Sequence, residues 1–222
     1  MTDHVYLVRP GANHRELRYS LRSLAANVEP GRVWLVGFVP QWVRNVVPLH
    51  RPTSGDKHAT TTNHLRFLCQ NDDVPDPFWL WMDDIYATRP VDLDVWHAGR
   101  PQLRGPHDRW HNGARATARW LISNGWPDPV SYELHLPLLV HKEPMLQALQ
   151  VLSRIDAAAP HKRTLYGNIA GLGGTYRADV KIRSRVDVRH LKDSDWLSSA
   201  DDTFRPLVQP LLGHLPPSRY ES

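Results

Sequence analysis

Apolar positions alternate between two rhythms over the first half of the chain. Residues 5–8 (Val-Tyr-Leu-Val) form a short unbroken run that reads as a buried strand. Leu17, Leu21, Leu24 and Ala25 then recur at helical spacing, behind Asn13 and Glu16 at the interval of a capping box. Pro30-Gly31 stops that helix, and 33–36 is a second apolar run. The start therefore predicts β-α-β, the mark of a parallel sheet with a right-handed crossover. A loop with Pro48, Pro52 and Gly55 precedes a helix over 60–68 that carries Asn63, His64 and Arg66; 78–82 (Phe-Trp-Leu-Trp-Met) is the third strand. Beyond it the alternation weakens. Helices are predicted over 114–122, ending at Asn124-Gly125, and from Pro144, with Met145, Leu149 and Leu152 on one face. A late strand over 180–186 and a last helix over 204–212 follow, then a tail from Pro216-Pro217. The predicted class is α/β: a mostly parallel central sheet flanked by helices, with a more helical C-terminal half. No linker composition divides the chain, so 1–222 reads as one domain.

Composition narrows the picture. With 222 residues, 41% of them hydrophobic, the chain can bury a proper core. A single cysteine, Cys69, excludes an intramolecular disulfide and fits a reducing, cytoplasmic setting. No apolar run approaches the ~20 residues of a membrane span. Nor does a basic, long-apolar leader precede 5–8, so neither a membrane span nor a signal peptide is expected. A formal charge of +4, with 13 His in reserve, favours anionic ligands: a nucleotide diphosphate, nucleic acid or an acidic polymer. Nine Trp could stack on sugars, although core packing is the commoner use.

The strand at 78–82 runs straight into Asp83 and Asp84. Buried α/β strands end at the rim where ligands bind, and hard divalent cations take one or two carboxylates plus substrate phosphates. The plain alternative is a strand that leaves through a polar turn. Asp201 and Asp202 precede the predicted last helix, where an N-cap is the ordinary reading and a second metal or acceptor contact the functional one. His107 to Asn112, with Trp110 as a possible sugar platform, reads as a mobile surface loop, and Asn71-Asp72-Asp73 as a turn. Gly171-Leu172-Gly173-Gly174 lacks the preceding strand of a dinucleotide fingerprint.

The run Glu16-Leu17-Arg18-Tyr19-Ser20-Leu21-Arg22-Ser23-Leu24 resembles the second block of the Stealth family of sugar-1-phosphate transferases. So do the strand at 33–36, Pro40-Gln41-Trp42, the Trp79-to-Asp84 stretch and Arg89-Pro90-Val91. His135-Leu136-Pro137 and Arg163 are similar to the third block, and Asp201-Asp202 to the acid pair that ends the fourth. Val8-Arg9-Pro10-Gly11 stands where the family has Trp-Val-Asn-Gly, and Met82 where it has Asn. The chain thus looks like a compact relative, similar to small GT-A-type glycosyltransferases of the phage and bacterial kind.

The resemblance implies a GT-A-like nucleotide-binding fold, with 1–95 as the nucleotide-sugar half and 96–222 as the acceptor half. It implies a divalent metal (Mn or Mg) on Asp83 and Asp84, and a nucleotide-sugar donor near Arg9, Asp83 and Asp202. His135, Asp84, Arg163 and Glu133 become the catalytic candidates. A His can take the proton of an acceptor hydroxyl, Glu133 could do the same or orient the acceptor, and an Arg fork suits phosphate. The expected activity is metal-dependent transfer of a sugar to a protein or glycan acceptor, with Stealth-like sugar-1-phosphate transfer as the alternative. A nucleic-acid binder or metal nuclease is the rival from another class, and scattered Lys and Arg argue against it. An inactive sugar-binding relative is the third reading.

Overall fold

The unbroken apolar runs become neighbouring strands. The computed structural model describes residues 1–11, 13–53, 55–101 and 103–222. In chain order its elements begin β1 (Asp3–Val8), α1 (Arg15–Asn27), β2 (Val33–Gly37), β3 (Val47–His50), α2 (Lys57–Gln70) and β4 (Phe78–Met82). Next come β5 (Ile85–Ala87), β6 (Trp96–His97), α3 (Arg109–Ser123), β7 (Leu138–Val140) and α4 (Lys142–Val151). The chain continues with α5 (Lys162–Ile169), β8 (Thr175–Tyr176), β9 (Lys181–Ile182), α6 (Arg185–Leu191) and β10 (Trp196–Ser199).

The central sheet has the order β3-β2-β1-β4-β7, parallel throughout except for β7, which runs antiparallel to β4. Its inner strands are apolar on both faces because both are covered. Val5, Leu7, Phe78 and Leu80 pack with Leu65 and Leu68 of α2, Met145 and Leu149 of α4 and Leu165 of α5. Tyr6, Val8, Trp79 and Trp81 face the opposite way, onto Leu17, Leu21 and Leu24 of α1. A smaller sheet, β5-β10-β9, builds a third cluster from Tyr86, Ile182, Leu197 and Phe204. Among the described residues no helix is long and apolar enough to cross a membrane.

Five expectations need correction. The strand expected over 180–186 is only Lys181–Ile182, because the Ser184 hydroxyl accepts the Asp187 N–H and starts α6. The last helix is a π-helical turn, Phe204–Val208, followed by a 3-10 turn, Gln209–Leu212. Neither Asp201 nor Asp202 caps it; Thr203 stands at that position and spends its hydroxyl on Ile182 and Ala200. The capping box at Asn13 and Glu16 is absent: α1 starts behind His14, at φ 46°, without a side-chain cap. Finally, 107–112 is no free loop, since Asp108 accepts the His111 N–H at 2.9 Å and opens α3.

Candidate functional site

The strand order reverses between β1 and β4, and at such a switch point the loops beyond the carboxyl ends diverge and leave a crevice. A cavity of about 650 Å³ lies there, lined by Arg9, Asp83, Asp84, Glu133, His135 and Arg163 among others. Gly37, at the end of β2, has φ 103°, and a Cβ there would strike the Val8 carbonyl and crowd His64, so glycine is needed for the close approach of these strand ends. Asp202 does not share the cavity: it is exposed, and its neighbour Asp201 lines the wall instead. A second concavity of about 770 Å³, around Pro30, Pro90 and Pro216, holds none of the candidate residues.

The acid pair occupies a turn between β4 and β5, so the two carboxylates have different surroundings. Asp84 accepts the Lys181 ammonium in an ion pair largely closed to solvent. Asp83 forms no ion pair among the described residues. Burial, then the negative charge of Asp84, pushes its carboxyl up to about 6, and Arg9 opposes this. Glu16 joins the same wall. Burial raises it to about 7, against its 2.7 Å hydrogen bond from the Ser199 hydroxyl, and Asp83, Asp84 and Asp201 raise it further.

This donor set fits a divalent cation in one way. Among the described residues no three ligating side chains converge on one point. Asp83 and Asp84 can hold a hard cation whose other positions are filled by substrate phosphates and water, once the Lys181 ammonium that sits on Asp84 is displaced.

In the same cavity, His135 Nδ1 lies 3.0 and 3.1 Å from the Asp179 carboxylate oxygens. Asp179 also accepts the His135 backbone N–H at 3.0 Å and an Arg183 N–H at 3.1 Å. Burial alone would raise the Asp179 carboxyl, but His135 and Arg183 outweigh it and hold it well below the usual range. A carboxylate at Nδ1 assigns the proton to that nitrogen and the lone pair to Nε2.

Two candidates are also tied into the fold. Glu133 Oε1 accepts the backbone N–H groups of Arg163 and Thr164 at 3.0 and 3.1 Å, satisfying unpaired donors at the start of α5. Arg163, half-buried, donates to the Leu134 carbonyl and, at 2.6 Å, to the Leu136 carbonyl. Its fork braces the segment that carries His135 through one N–H of each Nη, and its Nε has no partner among the described residues.

Sequence reasoning missed Lys181, Asp179 and the wall position of Glu16, as well as Arg15, Lys57 and Arg205 on the cavity rim. Trp110, half-exposed, also faces this space, with its ring 4.7 Å from that of His161. One signal was available. Val180 and Ile182 are apolar and buried, so strand alternation throws Asp179, Lys181 and Arg183 onto the opposite face.

No protein-family model matches the chain, and no curated protein does. The resemblance to the Stealth blocks therefore stands on the quoted residues alone. Among solved structures, the glycosyltransferase GlyE of Streptococcus pneumoniae TIGR4 is similar at 10% identity and a TM-score of 0.39, over 92% of this chain and 47% of that one. The chain thus spans about half the length of that protein.

Proposed function

We propose that the chain is a glycosyltransferase that takes a sugar from a nucleotide-sugar and passes it to a hydroxyl of a protein or glycan acceptor. The supporting observation is one cavity, at the switch point of a parallel sheet, whose lining includes both an acid pair and a carboxylate-oriented histidine. Arg9, Arg15, Lys57 and Arg205 give the rim the positive charge that a diphosphate needs. A divalent cation held by Asp83 and Asp84 would supply Lewis-acid stabilisation of the leaving diphosphate.

The residues of the chain account for the rest of the reaction. His135 Nε2 takes the proton of the acceptor hydroxyl as its oxygen bonds to the anomeric carbon. The bond from that carbon to the diphosphate breaks, and a nucleoside diphosphate leaves. Asp179 keeps the imidazole in the right tautomer and stabilises it once protonated, while Arg163 and Glu133 hold its segment still.

The test is a thermal-shift panel of nucleotide-sugars with and without Mn2+, followed by product analysis. The right donor should raise Tm, because a ligand of the folded state stabilises it by mass action. It should yield nucleoside diphosphate in the presence of an acceptor. Nucleoside monophosphate would show sugar-1-phosphate transfer instead; no shift and no product with any donor would end both readings.

A further inference from the structure

Lys181 is an expensive residue in its place. β9 pairs with β10 through Lys181 and Ile182. Ile182 is buried in the third cluster, and Lys181 lines the cavity on the opposite side. There its ammonium sits on Asp84, with the two side chains only 13% and 18% exposed. Both charges are largely stripped of water, and such a pair is often no more stabilising than apolar side chains of the same size. Stability is therefore a poor reason for it. Its location is more telling: the ammonium covers one half of the carboxylate pair suited to a cation, and it leaves Asp83 without an ion pair among the described residues.

We propose that Lys181 is the resident counter-ion of Asp84, closing that carboxylate to a divalent cation until a donor diphosphate draws the ammonium away. The inference rests on the nucleotide-sugar reading of this cavity. Charge is conserved in the exchange: the cation replaces the ammonium on Asp84, and the ammonium pairs with a phosphate oxygen. Metal entry then depends on the donor, so the empty protein does not hold a tight metal.

Two probes, each used alone, test this without turnover: Mn2+ and metal-free inorganic pyrophosphate, both by calorimetry. Lys181→Gln should bind Mn2+ at least about tenfold more tightly than the unaltered chain, since a repelling charge beside the site is gone. Adding Asp84→Asn to that variant should cancel the gain. Pyrophosphate should bind Lys181→Gln about tenfold more weakly, the worth of one charge-assisted hydrogen bond. Should Lys181→Gln fail to fold, the otherwise unaltered chain still decides: Asp83→Asn should abolish the weak Mn2+ binding, whereas Asp84→Asn, whose carboxylate is already taken by Lys181, should cost less. Equal Mn2+ affinity with and without Lys181, undiminished pyrophosphate binding, or Asp84→Asn as costly as Asp83→Asn would each overturn the proposal. Failure of the donor reading shows separately, as an empty nucleotide-sugar panel.

Discussion

His4 shows what a single buried group does to the pH response. It lies within β1, 1% exposed, with Nδ1 unpartnered and its ring 5.8 Å from that of Trp81. Burial drives its pKa from 6.5 down to about 4, against the pull of Asp3. A histidine depressed in the folded state makes the unfolded chain the better proton acceptor between those values, so its contribution to stability is lost as pH falls below 6.5. At pH 5 the loss is about 2 kcal/mol. Glu16 and Asp83 work the other way. Their folded pKa values are raised to about 7 and about 6, so protonating them stabilises the fold as pH falls. The unaltered chain should therefore show a muted pH profile. Replacing His4 with Gln should remove the acid-labile part, so that urea stability at pH 5 relative to pH 7 improves by about 2 kcal/mol. Identical pH dependence in the two proteins would mean that His4 does not titrate this way.

At the scale of elements, α5 is the joint between fold and site. Its first N–H groups are answered by Glu133, and its second residue, Arg163, holds the carbonyls on either side of His135. If Glu133 serves as a helix cap, an amide oxygen does as well as a carboxylate. Glu133→Gln should then keep its thermal stability and donor binding, while Glu133→Ala loses about 1 kcal/mol. Loss of turnover in Glu133→Gln with an unchanged Tm would restore Glu133 to the chemistry. The sequence made the long periodic elements legible: β1, α1, β2, α2 and β4 follow from period alone. It hid the short ones. β3 contains Pro48, tolerable because the strand lies at a sheet edge, and β7 is three residues that are recognisable only beside β4. The site divides the same way. Asp83 and Asp84 stand out because they abut an apolar strand, and His135 only through the resemblance of His135-Leu136-Pro137 to the Stealth block. For Lys181 and Asp179 alternation gives the face but not the place, which depends on β9 pairing with β10.

For the whole molecule, the question is whether the halves 1–95 and 96–222 stand or fall together. β7, from the second half, completes the central sheet against β4, and β10 pairs with β5 across the same divide. The far end of the chain returns to the first half: Glu221 accepts two hydrogen bonds at 2.8 Å from Arg22, and Arg18 adds an ion pair at 3.4 Å. Beside it, Tyr220 is 2% exposed and packs in the cluster of α1 and β2, and its carbonyl accepts the Arg44 N–H. Truncating a buried aromatic costs about 3–5 kcal/mol through lost transfer energy and the cavity left behind. If the halves share one cooperative unit, Tyr220→Ala should lower a single transition. Far-UV CD and Trp fluorescence should report the same midpoint, because Trp34 and Trp196 lie in opposite halves yet in connected cores. Two separated transitions, with only the first half weakened, would instead mean that the cavity is built between units that fold apart. The orientation of His135 against the acid pair would then be set by docking rather than by the fold.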